Sequence, residues 1–145
     1  MTFERESSTD VAVVIPAWNE AEDIEATVST LRDGLAELGR SSELLVVDDS
    51  SEDDTAAIAE GAGATTLKVE KRQIAAVRNA GAATTTGRLL VFVDADTLVP
   101  SETLRELIRA VEQGAAIAGP RVEMPGVRSP VNRLWTWLLL RALAN

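Results

Sequence analysis

Three apolar runs, each closed by a polar cluster, constrain this chain more than any other feature. Residues 11–15, 44–47 and 89–93 are apolar at every position instead of at alternate ones. A strand of that kind is covered on both faces, as in parallel sheets crossed over by helices. Residues 65–69 supply a weaker strand and residues 115–118 a candidate fifth. Pro16 is expected to stop the first strand. Between the first two runs, Ile24, Val28, Leu31, Leu35 and Leu38 recur at spacings of four and three. They mark one apolar face of a helix that starts near Asn19 and ends at Gly39. Further helices are expected at about residues 53–60 and 73–83. Another opens at Ser101, presents Leu104, Leu107, Ile108 and Val111, and ends at Gly114. The fold class is therefore α/β, a mostly parallel sheet flanked by helices on both faces.

Composition narrows the chemistry. The 145 residues contain no Cys and no His. Disulfides, thiolate or imidazole metal sites and His-based nucleophilic mechanisms are excluded. Acid–base and metal chemistry must use carboxylates, and oxygen donors favour hard cations such as Mg or Mn. The net charge of -9 repels phosphate backbones, so nucleic acid is not an expected partner. Basic residues are 12 Arg against Lys68 and Lys71 alone, a balance found in proteins of salt-rich cytoplasm and in ordinary acidic cytosolic proteins. Residues 1–10 read as a polar, disordered lead-in without an apolar signal core. The apolar stretch 134–140 is too short to span a bilayer. A cytoplasmic protein, at most membrane-peripheral, is expected.

In open α/β sheets, ligands bind beyond the carboxyl ends of the strands. Polar clusters follow three strands: residues 16–20, 48–53 and 94–96. Asp94 and Asp96 lie two apart, so in an extended chain their side chains share a face. Two such carboxylates repel unless a cation sits between them, and a divalent ion there would also bind diphosphate oxygens. The plainer reading is a cap on the turn before Pro100; the convergence of three polar loops favours a site. Asp48 and Asp49 resemble the acidic pocket of response-regulator receivers, but a receiver carries its acid pair near the first strand and a Lys after the fifth. Here the pair follows the second strand, and no Lys occurs after Lys71. Asp53 reads as a helix N-cap.

Four segments, residues 14–20, 46–55, 76–81 and 87–97, resemble the family-2 glycosyltransferases of the GT-A fold. The resemblance covers about residues 11–120. It implies that Pro16, Ala17 and Glu20 line the base and ribose of a nucleotide-diphospho-sugar. It further implies that Asp49 pairs with the base, with Asp48 beside it, and that Arg78 and Asn79 flank the nucleotide. Asp94 and Asp96 would hold a Mg or Mn ion and the phosphates, with Asp96 the more direct ligand. Ser50 departs from the Gly usual at its position, and Trp18 is bulkier than the common Tyr or Phe.

The family's catalytic Asp, in a Glu-Asp type motif, and its Gln-x-x-Arg-Trp type segment have no match here. Glu123 is the only acid in residues 121–145. No catalytic residue is assigned, and the resemblance implies a GT-A fold incomplete at its C-terminus. Residues 121–145 would then be a loop and an apolar helix, at about 131–144, that begin the acceptor-side half. Trp135, Trp137 and Arg141 on that helix would dock on that half, on a second copy or on a membrane surface. The implied function is transfer of a sugar from a nucleotide to a glycan or lipid-phosphate acceptor when the enzyme is complete. The alternative is a non-catalytic nucleotide-sugar-binding or regulatory module. A nucleotidyltransferase would need a Gly-rich basic loop after the first strand, and residues 16–20 are not one.

Overall fold

The computed structural model describes residues 9–119. The elements are β1 (Val11–Ala17), α1 (Ile24–Glu37), β2 (Ser42–Asp48), α2 (Thr55–Gly61), β3 (Thr65–Lys68), α3 (Ile74–Thr84), β4 (Leu89–Phe92) and α4 (Ser101–Glu112). All pairings are parallel, in the order β3-β2-β1-β4. The chain thus builds outward from β1 to β3 on one side and returns to add β4 on the other. The order reverses between β1 and β4, and a crevice opens there at the carboxyl ends.

The apolar runs are explained by the two layers. Val11, Val13, Ile15 and Ala17 pack with Leu44 and Val46 under α1, α2 and α4, whose Ile24, Val28, Leu31, Leu35, Ala59, Leu104 and Ile108 close the larger core. Val14, Leu45 and Val47 face the other way, onto Val77 of α3. Burying a Val, Leu or Ile side chain contributes about 1.5–3 kcal/mol, so the doubly covered β1 and β2 dominate the stability of the sheet.

Several boundaries differ from the sequence pattern. Pro16 does not end β1; it pairs in register with Val47, and Ala17 with Asp48. In a parallel ladder, alternate residues turn their amides to opposite neighbours. Val14 accepts from Val93 on the β4 side, whereas Ala17 accepts from Asp49 on the β2 side. Pro16, two residues past Val14, therefore directs its missing N–H toward β4, where pairing stops at Val14↔Phe92. The proline ends one ladder and leaves the other intact. Strand β4 correspondingly ends at Phe92, not Val93.

Helix α1 begins at Ile24, not near Asn19. Asn19 adopts φ 55, and the amides of Asn19, Glu20 and Ala21 are bonded to the next loop instead of a helix. Residues 115–118 form no strand; Ile117 is 87% exposed. A short Ala-rich run carries too little side chain to hold an edge position without a partner. The expected helix at about 131–144, the loop before it and most of the lead-in lie outside the described residues.

Helix α3 crosses the sheet closely because Gly81 has no side chain. A Cβ there would lie 2.4 Å from Val14 Cγ1 and 2.8 Å from Val47 Cγ2. Gly81→Ala should destabilise the protein by about 1–3 kcal/mol through overpacking. Gly61→Ala, where a Cβ meets nothing within 4 Å, should cause no loss. Urea unfolding midpoints of the two variants check this; equal midpoints would show that α3 shifts freely on the sheet.

Candidate functional site

The loop after β1 is tied to the loop after β2 by side chains. Asn19 N–H donates to Ser51 Oγ (2.9 Å), Glu20 N–H to Thr55 Oγ1 (2.8 Å) and Ala21 N–H to Asp53 Oδ2 (3.1 Å). In return Glu52 N–H donates to Asn19 Oδ1 (2.8 Å). The Thr55 hydroxyl donates to Asp53 Oδ1, which also accepts from Thr55 N–H at 3.1 Å. Asp53 thus serves the start of α2, although the N-cap position itself is Asp54. The Thr55 hydroxyl bond, first among several, holds the Asp53 carboxyl below the usual carboxylate range.

Adjacent Asp48 and Asp49 part company here. Asp48 is buried, and its Oδ1 accepts from Ser51 N–H at 2.9 Å, holding the acidic loop from beneath. Asp49 faces the cleft, and its two oxygens accept from Lys71 N–H (2.6 Å) and Arg72 N–H (2.8 Å). Successive side chains at a strand end point to opposite sides. Ser50 has φ 63, a left-handed backbone that explains why Gly suits this position. Its hydroxyl donates to Val69 O at 2.8 Å, which offsets part of that strain.

Asp94 and Asp96 do not share a face of an extended strand. Residues 94–97 form a turn, with Thr97 N–H donating to Asp94 O at 3.0 Å. Ala95 between them is buried in the core, and its carbonyl accepts from the hydroxyl of Thr27, itself fully buried in α1, at 2.7 Å. The turn is pinned by its middle residue, and both carboxylates are left exposed at the cleft. Arg78, on α3, donates from Nη2 to Asp94 Oδ1 at 2.6 Å.

These loops enclose a cleft of about 820 Å³ at the crevice between β1 and β4. Pro16, Ala17, Glu20, Asp49, Arg78, Asp94 and Asp96, all expected from sequence, line it together. Asp48 and Asn79 do not; Asn79 is exposed and lies about 100° around the helix from Arg78. Sequence reasoning missed Arg72, Gln73 and Ile74, which form the wall at the start of α3. Ile74 and Trp18 are 54% and 62% exposed, and large apolar side chains left open beside a polar cleft are the signal that marks them.

The donor set at the cleft consists of oxygens, which suits Mg or Mn. Among the described residues no three acidic side chains converge into a metal cage. Two carboxylates are nevertheless a common complement for Mg, which draws its other ligands from water and phosphate. Glu20 is held above its ordinary value near 4.5, first by burial and then by the carboxylates of Asp96, Asp23, Asp53 and Asp94. The cleft is therefore short of positive charge.

A profile described as Glycosyl transferase family 2 matches residues 12–141. An undecaprenyl-phosphate 4-deoxy-4-formamido-L-arabinose transferase of Klebsiella pneumoniae is 32% identical over 117 residues, 75% of this chain and 36% of that protein. The protein of the same name from an Enterobacter species is 32% identical over 139 residues, 91% of this chain and 40% of its own length. Among solved structures, Mycobacterium tuberculosis glucosyl-3-phosphoglycerate synthase in complex with Mn2+, UDP-glucose and phosphoglyceric acid aligns with TM-score 0.59 and 25% identity, over 74% of this chain and 40% of that one. The chain spans less than half the length of each of these proteins.

Two consequences of the geometry are measurable. Thr27→Val strips the Ala95 carbonyl of its donor and should cost about 1–3 kcal/mol, whereas Thr27→Ser should retain most of the stability; thermal unfolding separates them. Glu20 binds its proton more tightly in the folded state than in the unfolded chain. Its stabilising effect is therefore complete below about pH 4.5 and is lost as pH rises through the elevated folded-state value. Glu20→Gln should raise the urea midpoint at pH 7, with the advantage shrinking as pH falls toward 4.5. A midpoint difference independent of pH would contradict the crowding of carboxylates.

Proposed function

Because the chain belongs to glycosyl transferase family 2, we propose that its cleft binds a nucleotide-diphospho-sugar through a divalent Mg or Mn ion, for transfer of the sugar to a lipid phosphate. The fold is GT-A, with the sheet and helices laid out as the sequence resemblance implied. The observation that carries the functional reading is the convergence of Asp49, Arg78, Asp94 and Asp96 on one cleft at the strand-order reversal. Residues 11–120 are the donor-binding unit in this reading, and residues 121–145 begin the acceptor side.

Each side chain has a part that its surroundings support. Pro16, Ala17 and Trp18 at the end of β1 line the same cleft as Asp49, and the exposed Trp18 offers an apolar surface against which a base and ribose can lie. Asp49 already anchors the 71–72 backbone, and a carboxylate retains acceptor capacity beyond two amides, so it can also receive a base N–H. Asp94 and Asp96 would be the oxygen donors for the cation, which would supply positive charge to the diphosphate oxygens. Arg78 supplies the guanidinium nearest those acids. No base for the acceptor is assigned.

The acceptor class is supported by the undecaprenyl-phosphate transferases at 32% identity. The aligned mycobacterial structure holds phosphoglyceric acid, also a phosphate compound. No helix among the described residues is long and apolar enough to cross a membrane. A lipid-phosphate acceptor would be met at the cytoplasmic membrane surface, with peripheral contact through residues 131–144.

Calorimetric titration with UDP and with GDP, in Mn2+ and then in EDTA, tests the donor site. Binding should require the cation. Asp96→Ala should weaken Mn2+-dependent binding by on the order of tenfold to a hundredfold, the range seen when metal-site support is removed. Asp94→Ala should weaken it less, because that change also frees Arg78 for the phosphates. Equal affinity in Mn2+ and EDTA would refute the metal bridge.

A further inference from the structure

The Arg78 side chain is held in a pose that leaves part of it unsatisfied. Its Nη2 is committed to Asp94 Oδ1 at 2.6 Å, yet its Nε is buried without a hydrogen-bond partner among the described residues. Guanidinium is a planar fork of five donors, and its strongest pairings are bidentate, through Nε and Nη or through both Nη groups. Here a single Nη bridges to a single oxygen. The side chain remains 37% exposed on the cleft side, so it has room to turn. Its backbone does not move with it, because α3 is locked onto β1 and β2 through Val77 and Gly81.

A guanidinium on Asp94 Oδ1 lies close to where a divalent cation held by the same carboxylate would sit, so the two like charges repel and compete for it. Among the described residues that line the cleft, one further cation is present. Arg72, the other cation in its lining, is paired with Glu70 at 3.2 Å and is 85% exposed.

Building on the donor-site reading above, we propose that Arg78 is an exchangeable counter-ion: it neutralises Asp94 before ligands arrive, and leaves it for the diphosphate when the cation binds. In the ligand-free protein the Arg78–Asp94 pair offsets the crowding of Asp94, Asp96 and Glu20 and keeps the cation's affinity low. When cation and nucleotide enter together, the released fork pairs bidentately with phosphate oxygens and its Nε gains a partner. Cation and nucleotide therefore bind cooperatively, and the coupling is reciprocal by linkage. Arg78 acts on the cation through Asp94 and is a positioning residue for it, while it touches the nucleotide directly.

The test separates this idea from the donor-site reading. Mn2+ binding without nucleotide is followed by electron paramagnetic resonance of the free ion, and UDP binding at saturating Mn2+ by calorimetry. In the wild-type chain, UDP should tighten Mn2+ binding. In Arg78→Gln, Mn2+ alone should bind roughly two- to fivefold more tightly, the scale of a partly exposed ion pair removed from a competitor. UDP should bind that variant about tenfold or more weakly, and the mutual tightening should collapse. Arg78→Lys should keep the wild-type affinity for Mn2+ alone but lose UDP affinity, because an ammonium keeps the charge without the fork. Loss of packing cannot strengthen Mn2+ binding, and the loss of mutual tightening separates the exchange from the mere removal of a positive charge. If Arg78→Gln does not fold by circular dichroism, the Lys variant decides: coupling equal to wild type would overturn the proposal. Unchanged or weaker Mn2+ binding by folded Arg78→Gln, with wild-type UDP binding still Mn2+-dependent, overturns the exchange alone. Wild-type UDP binding that ignores Mn2+ overturns the donor-site reading, and the exchange with it.

Discussion

Strand β1 is covered on both faces and paired on both edges, and the site depends on that confinement. Its seven residues are buried throughout, between β2 and β4 laterally and between the α1 and α3 layers above and below. A strand so enclosed has one register, because slipping by one residue would exchange the two apolar sets between faces. The segment that leaves it, from Trp18 to Ala21, is therefore delivered to a fixed place. Pro16 refines that delivery by closing the ladder toward β4 while the ladder toward β2 continues. The gap that opens beside β4 is the floor of the cleft.

What the confined sheet delivers is then fixed by buried or half-buried polar contacts. Thr27 and Ala95 tie the acidic turn to α1, and Thr55 and Asp53 tie the first loop to the second. Such contacts are worth most where water is excluded, because an unmade bond there leaves an orphaned group. The acids of the cleft stay at the rim, where water still solvates their charge. A buried anchor sits next to each acid of the cleft rim: Ala95 beside the exposed Asp94 and Asp96, and Asp48 beside the half-buried Asp49.

The same arrangement concentrates negative charge. Glu20 is pushed toward its protonated form by burial and by four neighbouring carboxylates, while Asp94 is compensated by Arg78. A cleft with this charge balance favours a positively charged ligand over a negative one. The covered sheet supplies stability, while the uncovered acids at its end carry unfavourable mutual repulsion.

The strand runs at residues 11–15, 44–47 and 89–93, the helix face from Ile24 to Leu38, and the three polar clusters were legible in the sequence. Each follows from local periodicity and from the rule that strands apolar at every position are buried on both faces. The family resemblance rested on the same segments, so the fold and most of the cleft lining could be anticipated from them. Only tertiary structure decided that Asp49 and not Asp48 faces the cleft, that Asp94 and Asp96 flank a buried pivot in a turn, that Arg78 sits on Asp94, and that residues 115–118 form no strand. The Ala95 pivot depends on a contact between residues 68 positions apart, and the Arg78–Asp94 pair on one 16 apart. Periodicity reports which side of an element meets the core, but it carries no information about which partner waits there.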